Sequence, residues 1–155
     1  MRHKRAPKRA IAPDPRYHRA DVAKFVNYIM RRGKKTTAER VVYTAFDQIA
    51  AESKQDPMEI FDSALRNITP QVEVRSRRVG GANYQIPTPV RGERRQALAF
   101  RWIIAAAEAK KGKPMARRLA EEFLAAAAGE GSAVKKRMDV QRMADANRAF
   151  AHFAR

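Results

Sequence analysis

The spacing of apolar residues changes twice along this chain, and these changes limit the fold more than any other feature. Apolar residues recur at helical spacing up to about residue 69, alternate with polar residues between 72 and 90, and then return to helical spacing. The first pattern is typical of amphipathic α-helices, and alternation is typical of half-buried β-strands. The sequence therefore predicts a helical protein interrupted once by a β-hairpin.

Three helices are predicted before the hairpin. The first has an apolar face from Val22 to Met30, with Asp21 just before it. The second begins with the spacing of a capping box at Thr36–Glu39, in which two side chains satisfy free amide groups. The third begins at Asp56–Glu59, where proline occupies the first helical position, and it stops at Pro70.

The alternating segment is predicted to form two antiparallel strands joined at Gly80–Asn83. Pro87 and Pro89 have no backbone N–H to donate, so the second strand must lie at the edge of its sheet. A ribbon of two strands is only marginally stable alone in water. We therefore expect the hairpin to lean on the helices at its base and to protrude at its tip.

Three more helices are predicted, at Glu93–Lys110, Pro114–Ala128 and Ser132–Phe150. The expected fold is mainly α: a bundle of about six helices with one protruding two-stranded β-hairpin between the third and fourth helices, plus a flexible basic N-terminal arm. The arm is assigned to residues 1–17. Residues 18–155 are expected to form a single helical domain that includes the hairpin at residues 72–90.

The net charge points to the class of partner. The chain has 33 Lys and Arg residues against 16 Asp and Glu residues, a formal net charge of +17. Each phosphate that a Lys or Arg neutralises releases condensed counterions, and this release drives binding. Because 45% of the residues are hydrophobic, the charge is expected to lie on a folded body. A nucleic acid is the predicted partner, bound by a helical domain.

Other classes of protein fit the sequence poorly. No apolar run reaches the ~20 residues that a membrane span needs, and no secretory signal follows Met1. The absence of cysteine excludes disulfides and thiolate zinc sites, and it is consistent with a reducing compartment. The sequence therefore predicts a cytoplasmic protein that does not bind membranes.

Basic residues are concentrated in five places, and each is expected to contact RNA. Phosphate contacts would come mainly from Lys and Arg, with backbone amides of the glycines allowing close approach. The candidates are Arg2, Lys4, Arg5, Lys8 and Arg9 in the arm; Arg31, Arg32, Lys34 and Lys35 at the first interhelical turn; Arg75, Arg77, Arg78, Gly80, Gly81, Asn83 and Tyr84 in the hairpin; Arg91, Arg94 and Arg95 after it; and Lys135, Lys136, Arg137, Arg142 and Arg148 in the last helix.

The hairpin is the most informative of these places. Arginine presents a planar fork to phosphate and a flat face to a base, and three arginines lie between residues 75 and 78. Tyr84 is expected to be exposed and to stack on a base. Charged side chains on an edge strand also prevent aggregation, which is the structural alternative.

Structural alternatives remain for two other groups. Arg31 and Arg32 could compensate the dipole at the end of the first helix instead of binding phosphate. The basic residues of the last helix share it with Met138 and Met143, so one side is expected to pack while the other is basic. A basic helix face can also be merely solvated.

Enzyme signatures fail on spacing. A phosphate-binding loop around Gly33 would need glycine in place of Tyr28 and Ser or Thr in place of Lys35, and a dinucleotide fingerprint starting at Gly129 meets Val134 instead of its third glycine. The three histidines show no metal-ligand spacing. We therefore expect no catalysis, no cofactor, no metal and no small-molecule substrate.

Three motifs carry a resemblance to a known family. They are V-R-S-R-R-V-G-G-A-N-Y-Q-I-P at Val74–Pro87, A-D-A-N-R-A-F at Ala144–Phe150, and M-R-R-G-K-K at Met30–Lys35. With these motifs the chain closely resembles the universal ribosomal protein seven family, that of bacterial small-subunit ribosomal protein seven. The resemblance covers nearly the whole chain and is weakest before Ala20.

The resemblance implies a specific role. Members of this family would be primary rRNA-binding proteins that dock on the 3′ major domain of small-subunit rRNA and nucleate assembly of the subunit head. It also implies a hairpin at the subunit interface near the exit-site tRNA and the mRNA, contacts with small-subunit ribosomal proteins nine and eleven, and in some bacteria repression of the protein's own operon.

A DNA-binding architectural protein is the alternative from another class. A helical body with a basic two-stranded arm could also enter a minor groove. Arms of that kind often carry a proline or apolar wedge at the tip. Here the tip is Gly80–Asn83, and the prolines lie farther along the return strand.

Overall fold

The computed structural model describes residue 6 and residues 9–154, and these residues form two compact units that meet in sequence between Arg40 and Val41. The described chain contains six α-helices, a C-terminal 3₁₀ helix and one two-stranded antiparallel sheet. The expected fold class, mainly α with a β-hairpin between the third and fourth helices, is confirmed. No helix in the described part of the chain is long and apolar enough to cross a membrane.

The first unit contains helix α1 (Ala20–Ile29) and the start of α2 (Lys35–Ser53). The predicted apolar face of α1 is confirmed by the burial of Val22, Phe25 and Val26. The capping box was wrong, because α2 begins one residue before Thr36. Glu39 instead forms an i, i+4 ion pair with Lys35, the first residue of the helix, at 3.9 Å.

An aspartate turn precedes α1. The Asp14 carboxylate accepts hydrogen bonds from the backbone N–H groups of Arg16 and Tyr17, both at 3.0 Å. The backbone N–H of Asp14 donates to the carbonyl of Arg19 at 3.1 Å, which closes the turn. This is the local capping chemistry that short acidic side chains supply in turns. The last residues of the predicted arm therefore have a defined conformation.

The second unit contains the rest of α2 and the remaining elements in chain order. These are α3 (Pro57–Ile68), strands β1 (Val72–Val79) and β2 (Ala82–Pro89), α4 (Gly92–Ala109), α5 (Met115–Ala127), α6 (Ser132–Ala146) and the 3₁₀ helix (Arg148–Ala154). The predicted start of α3 is confirmed, because Asp56 accepts a hydrogen bond from the N–H of Met58 at 2.9 Å and Pro57 follows the cap.

Phenylalanines from four helices form the core of this unit. The ring of Phe61 on α3 lies 5.6 Å from Phe46 on α2, 5.5 Å from Phe123 on α5 and 6.4 Å from Phe100 on α4. All four residues are fully buried. Large buried rings contribute strongly to stability through their area and their edge-to-face contacts. Helices α2, α3, α4 and α5 thus share one aromatic centre.

A buried glutamate links α4, α5 and α6. Glu122 on α5 accepts a hydrogen bond from the N–H of Ala133 at 2.9 Å, and Nζ of Lys110 forms an ion pair with its other oxygen at 2.9 Å. Gly131 has a φ of +92°, and a Cβ there would lie 2.9 Å from Oε1 of Glu122. Glycine is therefore needed at this position for both conformation and space.

The register of the hairpin pairs Val72 with Pro89 and Val79 with Ala82. Gly80 and Gly81 form the two-residue turn with φ of +58° and +89°, which fits the type I′ turn common in tight hairpins. The base and middle of the hairpin pack against α6 and the 3₁₀ helix. The predicted tip is confirmed, with the turn itself shortened to two glycines.

The last helix ends earlier than predicted. α6 stops at Ala146, because the side-chain amide of Asn147 donates to the carbonyl of Met143 at 2.8 Å and closes the helix. The chain then continues as a 3₁₀ helix whose Phe150 rests on the hairpin. The expected packing of Met138 and Met143 was wrong. Both are exposed, at 47% and 42%, while Ala133, Val134 and Ala144 are buried.

Candidate nucleic-acid interface

The base of the hairpin holds a cluster of one acidic and two basic side chains. Nε of Arg75 donates to Oε1 of Glu73 at 2.6 Å, and Nε of Arg94 donates to Oε2 at 2.7 Å. The Nη2 groups of both arginines complete ion pairs with the same two oxygens. Glu73 and Arg75 are two residues apart on β1 and share a face, while Arg94 lies in the first turn of α4.

The charges in this cluster stabilise one another. Burial raises the pKa of Glu73, but hydrogen bonds from Arg94 and Arg75 and their positive charges lower it to a value below the ordinary range. The pKa of Arg94 is raised by its hydrogen bond to Glu73 and by the charge of that carboxylate. Both shifts favour the ionised forms of Glu73 and Arg94 at neutral pH.

The middle of the hairpin is covered by the C-terminal segment. The ring of Tyr84 lies 5.0 Å from that of Phe150 and 5.8 Å from that of Phe153. Nη1 of Arg77, which pairs with Tyr84 in the register, donates to the carbonyl of Phe153 at 2.7 Å. Tyr84 is half-buried and not the exposed aromatic that was expected. Its ring packs against aromatic side chains of the same protein.

The tip of the hairpin is open. Arg78, Gly80, Gly81 and Asn83 are all exposed. Arg78 pairs with Asn83 across the hairpin and has no acidic partner in the described part of the chain. An exposed guanidinium beside a glycine turn allows the backbone of a polyanion to approach closely.

The predicted residues after the hairpin surround the start of α4. Arg91 is the N-terminal cap residue of α4, and Arg94 and Arg95 lie in its first turn. All three are exposed. Arg95 returns to the hairpin, since its Nε donates to the carbonyl of Val90 at 2.7 Å. Of this predicted group, Arg94 is the residue that meets Arg75, because both bind Glu73.

A second basic region lies between α3, β1 and α6. Arg137 and Arg142 line an open cleft of about 580 Å³ together with Arg66 and the exposed Met138. Lys135 and Lys136 are exposed on the same helix, and Arg148 lies beyond it in the 3₁₀ helix, not on the last helix as predicted. Arg142 also lies 3.6 Å from Asp139.

The remaining candidates belong to the first unit. Arg31, Arg32, Lys34 and Lys35 are exposed, and the turn that carries them has a φ of +52° at Arg32 and +72° at Gly33. Arg9 is exposed as well. The other predicted contacts of the arm lie outside the described residues: Arg2, Lys4, Arg5 and Lys8.

Two residues of these surfaces were missed in the sequence. The alternating pattern marks Glu73 only as a polar residue of the first strand, although its spacing to Arg75 already places the two on one face. The apolar spacing of α3 does not mark Arg66 as a binding residue, although Arg66 is basic and lies in the last turn of that helix. Only the fold brings Arg94 to Glu73, 21 residues away.

No group of three or more residues suited to hold a metal ion occurs in the described ranges. In the sequence as a whole, Lys and Arg outnumber Asp and Glu by 33 to 16.

Comparison with known proteins identifies the family. The family model described as ribosomal protein S7p/S5e matches residues 1–148. The small ribosomal subunit protein uS7 of Nitrosospira multiformis is 58% identical over 152 residues, which cover 98% of this chain and 97% of that protein. The chain belongs to the ribosomal protein S7p/S5e family. The resemblance expected from the three motifs is confirmed.

Two other relatives show a similar level of identity over the same length. The uS7 proteins of Aromatoleum aromaticum and Chromohalobacter salexigens are 56% and 57% identical over 152 residues, again 98% of this chain and 97% of each relative. The similarity thus extends over both units and the hairpin. Its range also includes the basic arm, whose first residues lie outside the described part of the chain.

Proposed function

We propose that this protein is a structural constituent of the small ribosomal subunit and that it binds rRNA. The observation that carries the proposal is the meeting of Arg75 on the hairpin with Arg94 on α4 at Glu73, in a hairpin with an open, arginine-bearing tip. Arg91 and Arg95 lie at the start of the same helix α4. Arginine-rich surfaces beside a fixed helical scaffold suit the phosphates and irregular shape of folded RNA. The family and the net charge of +17 support the same role.

The finer assignment follows the family resemblance. The protein would be a primary binder of the 3′ major domain of small-subunit rRNA and would nucleate assembly of the subunit head. Its hairpin would face the subunit interface near the exit-site tRNA and the mRNA, and ribosomal proteins nine and eleven would be its neighbours. The arm at residues 1–17 would add phosphate contacts to those of the helical domain at residues 18–155.

The proposed role is binding and not catalysis. Membership of a ribosomal protein family supports this. The place of action would be the ribosome in the cytoplasm, and no small molecule or cofactor is part of the proposal.

A DNA-binding architectural role is the less favoured alternative. The structure has a two-glycine turn at the tip, where an inserting arm would carry an apolar wedge. The prolines pair with Val74 and Val72 toward the base.

A binding titration tests the proposal. The full chain is titrated against the isolated 3′ major domain of small-subunit rRNA, a shuffled RNA of equal length and a DNA duplex, at several salt concentrations. We expect preferential binding to the rRNA domain, with affinity falling linearly on a log–log plot by ~0.7–0.9 for each phosphate contact. Equal affinity for all three, or affinity independent of salt, would overturn the proposal.

A further inference from the structure

We propose that Glu73 is a positioning residue that holds Arg75 and Arg94 as one binding site for a phosphate of the RNA backbone. This inference rests on the proposed RNA-binding function and adds a role for an acidic residue within a basic surface.

The first support is the geometry of the two contacts. Each guanidinium approaches the carboxylate with its Nε and Nη2 edge, Arg75 at Oε1 and Arg94 at Oε2. A guanidinium has five N–H donors in a rigid fork, and this edge uses two of them. The opposite edge, with Nη1, therefore stays available on both arginines. One carboxylate fixes the orientation of two phosphate-binding forks.

The second support is the distribution of exposure. The side chain of Glu73 is 10% exposed, while those of Arg75 and Arg94 are 59% and 49% exposed. The carboxylate thus lies beneath the two guanidiniums, which face solvent. A purely structural ion pair has no need for two partners with their forks open on the outside.

The third support is that the cluster joins two elements. Glu73 and Arg75 belong to β1, and Arg94 belongs to α4. The carbonyl of Glu73 also lies 3.4 Å from the hydroxyl of Thr88, which donates to it from the paired strand. The spacing of the two arginines is therefore set by the fold and not by flexible side chains alone.

The physical benefit is a lower cost of ordering. Long side chains lose rotamer freedom when they bind, and this loss weakens affinity unless it has already occurred in the free protein. Charge alone makes the opposite prediction, because removing a carboxylate from a surface that binds a polyanion should strengthen binding. If Glu73 positions the two arginines, its removal should weaken RNA binding. If only charge matters, its removal should strengthen RNA binding.

The test compares two substitutions that change the charge equally. Glu73→Gln removes the carboxylate from the cluster, and Glu130→Gln removes one from an exposed turn, where Glu130 has no ion pair in the described chain. Affinity for the isolated 3′ major domain rRNA is measured for the parent and both variants. We expect Glu130→Gln to bind as tightly as the parent or slightly more tightly, and Glu73→Gln to bind about five- to tenfold more weakly.

The NMR resonances of the two arginine side chains show whether Glu73 holds these side chains in position or only stabilises the fold. The Nε–H resonances of Arg75 and Arg94 should be resolved and slow to exchange in the parent, and both should be lost together in Glu73→Gln. Resonances that persist in this variant would overturn the proposal.

A second variant covers the case in which Glu73→Gln does not fold. Arg75→Lys keeps the charge but lacks the fork, so it should weaken binding several-fold. Its control is Arg117→Lys on α5, where the arginine also pairs with a glutamate, at 3.5 Å from Glu121. Equal affinity of Arg75→Lys and Arg117→Lys would overturn the proposal.

The binding results distinguish a failure of the proposed RNA-binding function from a failure of the proposed role of Glu73. If the parent does not prefer the rRNA domain over the shuffled RNA, the proposed function and this inference both fail. If the parent shows that preference and Glu73→Gln binds at least as tightly as Glu130→Gln, only the role of Glu73 is wrong.

Discussion

The base and the tip of the hairpin both carry arginines of strand β1, but the surroundings of these arginines differ. At the base, Arg75 is held by the buried Glu73, and Ile86 opposite it is 2% exposed. At the tip, Arg78 is exposed next to a turn of two glycines. Alternating arginines therefore do not define one uniform surface.

The arginines at the base and at the tip should contribute differently to RNA binding. Groups already held in the free protein lose little freedom when a ligand arrives, whereas open groups must be ordered at that moment. We expect the base to supply affinity and a fixed orientation, and the tip to adapt to what it meets. The following predictions test this division.

The largest effect should come from the buried side of the base. Ile86→Ala removes a fully buried side chain and should lower the free energy of unfolding by about 2–5 kcal/mol. Asn83→Ala at the exposed tip should change it by less than about 0.5 kcal/mol. Urea unfolding of both variants measures this. Comparable values for the two positions would show that base and tip are equally packed.

A smaller effect is expected in the middle of the hairpin. Tyr84→Ala removes ring contacts to Phe150 and Phe153, each worth about 0.5–1.5 kcal/mol, whereas Tyr84→Phe keeps them. Thermal unfolding should rank Tyr84→Phe close to the parent and Tyr84→Ala clearly below it. If Tyr84→Ala instead keeps full stability and loses only RNA affinity, the ring stacks on an RNA base and does not stabilise the C-terminal segment.

The smallest effect is a dependence of stability on pH. The folded pKa of Glu73 lies below its unfolded value, so its contribution is complete above the unfolded pKa and is lost as pH falls through the folded one. The stability difference between the parent and Glu73→Gln should therefore shrink only in acid, below the ordinary titration range of glutamate. Chemical unfolding from neutral to acidic pH measures it, and a difference that stays constant throughout contradicts the assignment.

The parts of the fold that were predicted from the sequence depend on local patterns. Apolar spacing, the Asp56–Pro57 start signal and the change of period identify their elements without knowledge of the rest of the chain. The exposed positions of Arg78 and Asn83 follow in the same way from a glycine turn. Recognition of the family depended on motifs of this local kind.

The parts that were missed depend on contacts between distant segments. Tyr84 is covered because the chain after Asn147 turns back onto the hairpin. Glu73 gains its role only when the start of α4 reaches the strand. The exposure of Met138 reflects its place in an open cleft, which helical periodicity alone does not reveal.

Arginine footprinting tests most directly the claim that the hairpin and the start of α4 form the RNA-binding surface. The free protein and its complex with the 3′ major domain rRNA are treated with phenylglyoxal, and the labelling rate of each arginine is measured by mass spectrometry. The account predicts several-fold slower labelling of Arg75, Arg78 and Arg94 in the complex, with Arg117 on α5 unchanged. Equal rates at the three hairpin and α4 positions with and without RNA, while the complex is intact, would contradict it.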